Sequence, residues 1–86
     1  MPRISAFYGI VVEMYYGDHP PPHFHARYGG ETAKIEVGTG RMLAGSLPGR
    51  AHRLVRQWAA QHGDELAANW QRVVNSEQPQ AIEPLK

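Results

Sequence analysis

The chain has 86 residues, a formal net charge of +1 and no cysteine. Its length allows one modest hydrophobic core, and its near-neutral charge lacks the overall field that draws a protein onto nucleic acid. The absence of cysteine excludes disulfides, thiolate metal ligands and a cysteine nucleophile. No apolar run approaches the roughly 18 residues that are needed to cross a bilayer. We expect a cytoplasmic protein, not inserted in a membrane, in which only histidine supplies soft metal ligands.

Residues 10–16 predict the first strand, because they combine β-branched with aromatic side chains and end at Gly17 and Asp18. The prolines at 20–22 follow. They cannot donate backbone hydrogen bonds and hold φ at about −65°, so they predict a stiff, extended loop rather than the interior of a sheet.

A β-hairpin is predicted around Gly29 and Gly30, because residues 23–28 and 32–37 alternate polar with apolar side chains. If the two glycines form the loop, the cross-strand pairs are Tyr28 with Glu31, Ala26 with Ala33, Phe24 with Ile35, Arg27 with Thr32, His25 with Lys34 and His23 with Glu36. A glycine-rich turn at 38–40 then leads into a short strand at 41–44.

Apolar residues recur at helical spacing after residue 47. The pattern predicts a first helix at about 48–62 and a second at about 64–75, with Gly63 as the stop signal between them and Asp64 as the N-cap. Trp58 and Trp70 occupy core positions of these helices, so we expect both to be buried.

The predicted fold class is α+β. A three- to four-stranded antiparallel β-meander within residues 8–45 is followed by a two-helix hairpin packed on one sheet face. The tail at 76–86 is expected to dock on this body through Ile82 and Leu85. Residues 1–86 are interpreted as a single domain.

Two histidines share one face of the strand that follows the prolines. His23 and His25 lie two positions apart and therefore point to the side opposite Phe24. We expect the helices to cover the Phe24 face, which leaves both imidazoles on the exposed face or its rim. Glu36 would lie across from His23, and Glu13 would be nearby if the first strand pairs in register.

These groups are candidate metal ligands. His23 and His25 are about 6.7 Å apart along a strand, so both rings can reach one zinc ion at the usual Zn–N distance of about 2.0 to 2.1 Å. His19 is the third candidate, although straight polyproline geometry would put it about 12 Å from His23. Asp18 or Glu36 are alternative oxygen ligands.

The same set suits acid/base chemistry. A neutral imidazole accepts a proton and a charged one donates it, so His23, His25 and His19 are candidate catalytic residues of a ribonuclease, with Glu36 fixing a tautomer. No nucleophile motif or phosphate-binding loop accompanies them.

A structural interpretation competes with both. The prolines would stiffen a turn, and the histidines would be polar residues on a solvated strand. A rigid loop of this kind, including Phe24, is also a candidate protein-binding surface, because prolines lower the entropy cost of association.

A basic row is the second candidate feature. Arg50, Arg53 and Arg56 project from the first helix away from its apolar stripe, and Arg27 and Lys34 lie on the histidine face of the hairpin. These side chains are candidates for contacts with nucleic-acid phosphates or a partner protein. The alternative is a solvated helix face.

The chain resembles a small bacterial family called "domain of unknown function 4160" over nearly its whole length. The residues that carry the resemblance are Ile4-Ser5, Phe7-Tyr8-Gly9-Ile10, Met14-Tyr15, Asp18-His19, Pro21-Pro22-His23-Phe24-His25, Leu47-Pro48, Trp58-Ala59, His62, Glu65-Leu66, Asn69-Trp70 and Ile82-Glu83-Pro84-Leu85. The resemblance implies no catalytic residue. It implies a toxin-antitoxin or regulatory operon protein, sometimes labelled a transcriptional regulator, and Pro20 departs from its pattern.

The function favoured by the sequence is that of a toxin-antitoxin-like or regulatory operon component. It would bind a protein encoded by a neighbouring gene, or nucleic acid, and this expectation rests largely on the resemblance. The alternatives are a histidine-dependent ribonuclease and a small zinc-binding module that uses the loop with Asp18, His19, His23 and His25.

Overall fold

A computed structural model describes residues 2–86, and across these residues five strands form one antiparallel sheet, followed by two helices. Each strand pairs with its neighbour in the chain. The elements are β1 (Arg3–Phe7), β2 (Ile10–Glu13), β3 (His23–Tyr28), β4 (Glu31–Glu36), β5 (Met42–Gly45), α1 (Gly49–Gln61) and α2 (Gly63–Val74). The predicted α+β class is confirmed, but the predicted number of three or four strands was wrong.

The additional strand is β1, which forms a tight hairpin with β2. The turn consists of Tyr8 at φ 50° and Gly9 at φ 81°, so both residues adopt left-handed backbone conformations. Glycine adopts this conformation readily, whereas tyrosine seldom does. The sequence signal for this hairpin is therefore weak, and the pattern-based prediction omitted its first strand.

The β3–β4 hairpin has the predicted register at every pair from His23 with Glu36 to Tyr28 with Glu31. Gly29 has φ +59°, a backbone conformation that glycine adopts without a steric penalty. β2 also pairs with β3, which places Glu13 directly across from His25. The prediction was only that Glu13 would lie near the histidines if this strand paired in register, and that is confirmed.

The centre of the core is the indole of Trp58, which has no exposed surface. Its ring lies 5.3 Å from that of Phe7 and 5.7 Å from that of Phe24, measured between centroids, so α1 contacts both β1 and β3. Trp70 is also buried, and the predicted core positions of both tryptophans are confirmed. Truncation of a buried aromatic of this kind costs about 3 to 5 kcal/mol.

The helix boundaries agree with prediction within one residue, but the junction differs. Gly63 is the first residue of α2 rather than a stop signal, and His62 occupies the N-cap position that was predicted for Asp64. The His62 side chain bonds to Glu65 through its Nδ1 atom, 2.6 Å from Oε1. Neither helix is long and apolar enough to cross a bilayer.

The tail after α2 is held by apolar and polar contacts. Ile82 and Leu85 are buried, as predicted. The Trp58 indole N–H donates to the Glu83 carbonyl at 2.8 Å, so the tail satisfies the polar atom of the largest core side chain.

Asn69 holds the tail at a second point. Its side-chain amide donates to the Gln80 carbonyl and accepts from the Gln80 N–H, both at 2.8 Å. Beyond this contact, the Ile82 N–H donates to the Ile4 carbonyl on the outer edge of β1. Because Asn69 is 99% buried, these bonds are shielded from water.

Candidate metal centre

A carboxylate and two imidazoles meet where the proline loop enters β3. The Asp18 Oδ2 atom lies 2.9 Å from Nε2 of His23 and 3.0 Å from Nε2 of His25. One ligand atom from each residue lies within 4.8 Å of the other two. We call these three residues the triad. β3 supplies two of its members at alternate positions, and the turn after β2 supplies the third.

The other ring nitrogen of His23 determines what the triad can hold. Its Nδ1 atom lies 2.8 Å from the carbonyl oxygen of Pro21. A carbonyl only accepts hydrogen bonds, so Nδ1 carries the proton. In a neutral imidazole the Nε2 atom then carries no proton, and its lone pair faces the carboxylate of Asp18.

The triad is more buried than the sequence predicts. His23 is 3% exposed and His25 is 9% exposed, so the expectation of two rings on an open face or rim was wrong. The Tyr15 ring stacks on His25 with centroids 4.0 Å apart and an angle of 18°, and Trp70 of α2 lies 5.3 Å from His23. Strand parity gave the direction of the rings correctly but could not show what covers them.

The charge of Asp18 is stabilised by its neighbours. Burial raises the pKa of this carboxyl, but the hydrogen bond from His25, the bond from the His19 backbone N–H, and the charge and hydrogen bond that a protonated His23 would supply together outweigh that effect and hold it below its usual range. Asp18 is therefore ionised in the folded protein under neutral conditions. It is a carboxylate ready to bind a cation or a protonated imidazole.

Acid unfolding is expected to report this shift. Because the pKa of Asp18 is lower in the folded protein than in the unfolded chain, its ionised form stabilises the fold above about pH 4, and this contribution is lost as the pH falls through the folded pKa. Asp18→Asn should therefore flatten the fall in unfolding free energy between about pH 5 and 3. Urea unfolding at several pH values, with chelator present, measures the unfolding free energy, and Asp64→Asn controls for the change in net charge. An unchanged slope in Asp18→Asn would contradict the assignment.

A buried acid lies beside the triad. Glu13 is 6% exposed, pairs with His25 across the strands and lies 3.6 Å from the Arg27 guanidinium. Burial, followed by the charge of Glu13, raises the pKa of the Tyr15 phenol. The triad therefore adjoins a second set of polar groups on the same face of the sheet.

Two predicted members of the site lie outside it. His19 is exposed, and its backbone N–H, not its ring, bonds to Asp18. Glu36 is paired with His23 in register, but its carboxylate accepts from the Thr39 hydroxyl at 2.6 Å and lies 3.7 Å from Arg41. Of the two alternative oxygen ligands, the structure brings only Asp18 to both histidines.

The predicted binding surfaces are divided. Phe24 has no exposed surface and contacts Trp58, so its assignment to a partner-binding loop was wrong, because this side chain belongs to the core. The side chains of the remaining candidates are exposed. They are Arg27, Lys34, Arg50, Arg53 and Arg56.

Sequence reasoning missed two contributors to the site. Tyr15 was assigned only to a strand, and the carbonyl of Pro21 was not considered as a partner of His23. A signal existed for Tyr15 in its position three residues before Asp18, at the end of an aromatic segment. No side-chain pattern could reveal the Pro21 carbonyl, because every residue carries that group.

The chain is thus a small α+β protein with a carboxylate and two histidines at the entrance to a central strand. The family model described as "Domain of unknown function (DUF4160)" matches residues 9–71, about three quarters of the chain, and the chain belongs to this family. The matched range contains the whole triad. No curated protein and no solved structure matches.

Proposed function

We propose that this chain is a metal-binding module that holds one divalent ion, with zinc preferred, between Asp18, His23 and His25. The observation that carries the proposal is the hydrogen bond from Nδ1 of His23 to the Pro21 carbonyl. It turns the Nε2 lone pair toward Oδ2 of Asp18, 2.9 Å away. Two lone pairs at this distance repel unless a positive charge lies between them, and that charge is either a proton or a metal ion.

The donor set and its surroundings favour a metal. Imidazole nitrogen and carboxylate oxygen are common zinc ligands, and a metal-binding histidine usually donates its other N–H to a carbonyl or carboxylate. The Pro21 carbonyl has this role for His23. Tyr15 stacks on His25 and Trp70 lies beside His23, and both imidazoles are buried, which strengthens the attraction between the ligands and a cation.

The distances require a small adjustment. Tetrahedral coordination with bonds of about 2.05 Å separates neighbouring ligand atoms by about 3.4 Å. The two separations from Asp18 are 2.9 and 3.0 Å, so the side chains must open by a few tenths of an ångström. Three protein ligands leave a fourth coordination position for water or for a group on a partner, as in zinc sites that are not purely structural.

The other functions stay predictions. A ribonuclease is less well supported, because His23 and His25 are both buried and an RNA substrate would have to reach their rings. The regulatory or toxin-antitoxin role rests on the resemblance, and the matching family is itself of unknown function. A metal centre with an open position is compatible with such a role, because a partner can supply the missing ligand.

Calorimetric titration of metal-free protein with zinc tests the proposal. We expect one zinc ion per chain, and we expect His23→Gln and His25→Gln each to weaken binding by at least about a hundredfold, more than loss of an outer-shell partner usually does. His19→Gln is the matched control, because this histidine is exposed and outside the triad. Absence of zinc binding, or equal loss in His19→Gln, would refute the proposal.

A further inference from the structure

A surface cavity of about 500 Å³ lies between the β4–β5 loop and the helices, away from the triad. The loop contributes Gly38, Thr39 and Gly40, and α1 contributes Arg53 and Arg56. No residue that lines this cavity carries a carboxylate. We propose that this groove binds the phosphate group of a nucleotide or nucleic acid, independently of the metal centre.

The two arginines are available for a ligand. In the described part of the chain, residues 2–86, neither has an ion-pair partner, whereas Arg27 pairs with Glu13 and Arg41 with Glu36. Both side chains are exposed on one side of α1. An arginine guanidinium presents several N–H groups in a planar fork that matches two oxygens of a phosphate.

Among the described residues, none of the nearby acids lines the groove or forms an ion pair with Arg53 or Arg56. Glu36 is engaged by the Thr39 hydroxyl and by Arg41. Asp64 and Glu65, which follow at the start of α2, line a different cavity. In a protein with a net charge of only +1, the groove is therefore a local concentration of positive charge.

The groove is also held in shape before any ligand binds. The Gly40 carbonyl lies 3.1 Å from Nε2 of His52, and the Gly40 N–H donates to the Glu36 carbonyl at 3.0 Å, so the loop is attached to both α1 and β4. A Cβ atom on Gly40 would come within 3.2 Å of Cγ of Arg56. The absence of a side chain there lets the Arg56 stem lie against the loop, which lowers the entropy cost of ordering it on a phosphate.

The structure separates Arg50 from this pair. A helix turns by about 100° per residue, so Arg50 and Arg56 point about 120° apart around α1 with Arg53 midway between them, and the β4–β5 loop lies on the Arg56 side. Arg50 lines another cavity with Tyr8 and Tyr28. The three arginines of the predicted basic row are therefore not one surface, and Arg50 provides a matched control for the other two.

The experiment measures binding of a short, fluorescently labelled oligothymidylate by anisotropy, with chelator present so that metal at the triad does not contribute. We expect Arg53→Gln and Arg56→Gln each to weaken binding about tenfold, while Arg50→Gln changes it less than about twofold. Two phosphate contacts predict a slope of log K against log salt near about −1.4, and each groove variant should reduce its magnitude by about 0.7.

Further measurements separate the outcomes. Inorganic phosphate and ADP are titrated as competitors. The groove is a phosphate site if either of them displaces the oligonucleotide, or binds although the oligonucleotide does not, with the same dependence on Arg53 and Arg56. The probe that binds most tightly then identifies the source of the phosphate. Unchanged thermal midpoints show that the variants fold. Equal losses in all three arginine variants, or no binding of any of these probes, would overturn the groove whether or not zinc binds the triad.

Discussion

Saturating zinc is expected to raise the unfolding free energy of the protein by about 4 kcal/mol when free zinc exceeds the dissociation constant a thousandfold. In a domain of this size, that corresponds to an increase in Tm on the order of 20 °C. The reason is linkage: the triad is assembled only in the folded chain, since Asp18 lies in the loop before β3 and must be folded back onto the two histidines of that strand. The unfolded chain therefore binds zinc more weakly.

Differential scanning calorimetry of chelator-treated protein, with and without zinc, measures this shift. His23→Gln should reduce the zinc-dependent rise in Tm to about a third or less, because the variant lacks the imidazole nitrogen that faces Asp18 and binds zinc at least about a hundredfold more weakly. The comparison is between the shifts, so any loss of stability from changing a buried residue cancels. His19→Gln should keep the full shift.

Two results would contradict the metal centre. One is the same zinc-dependent shift in His23→Gln and in the unchanged protein, which would place the bound zinc elsewhere. The other is no shift for zinc, cobalt or nickel in the unchanged protein. The positive charge between Asp18 and His23 would then be a proton, and the triad would be a protonated ion-pair cluster.

Gly45→Ala is expected to destabilise the fold by about 2 to 5 kcal/mol. Gly45 ends β5 with φ +80° and is paired with Ala33 of β4. A Cβ atom there would overlap the carbonyl oxygen of Thr32 and lie 2.9 Å from Cα of Ala33. These are backbone atoms inside a sheet, so relief of the overlap requires the strands to move apart.

Gly29→Ala separates the two causes. Gly29 has φ +59°, but a Cβ atom there would meet nothing within 4 Å, so the substitution introduces only backbone strain of about 1 to 2 kcal/mol. Urea unfolding of both variants measures the difference. If Gly45→Ala were no more destabilising than Gly29→Ala, the close approach of β4 and β5 would not limit the side chain at this position.

The sequence predicted local pairing better than burial. The β3–β4 register followed from the two glycines and the alternation of polar and apolar residues. A two-residue turn fixes which residues of the two strands lie opposite each other, and the alternation puts the apolar side chains of both strands on one face. The β1–β2 hairpin was missed because Tyr8 adopts a left-handed backbone conformation in the turn, and a tyrosine is not a sequence signal for that conformation.

The candidate site was also predicted in part from the alternation of residues along a strand. Strand parity placed His23 and His25 on one side, and the structure brings both to Asp18. Their burial depends on Tyr15 and Trp70, and contacts of a distant helix cannot be derived from the alternation of one strand. The split of the arginine row likewise required the position of the β4–β5 loop relative to α1.

The two outer strands of the sheet differ in how they are protected. On the β1 side, the Ile82 N–H occupies the Ile4 carbonyl, and the tail that carries it is anchored by the paired amide bonds of Asn69. β5 is the outermost strand on the other side. Because an unpaired strand edge is a template for another extended chain, we expect any growth of this sheet by strand addition to occur on the β5 side.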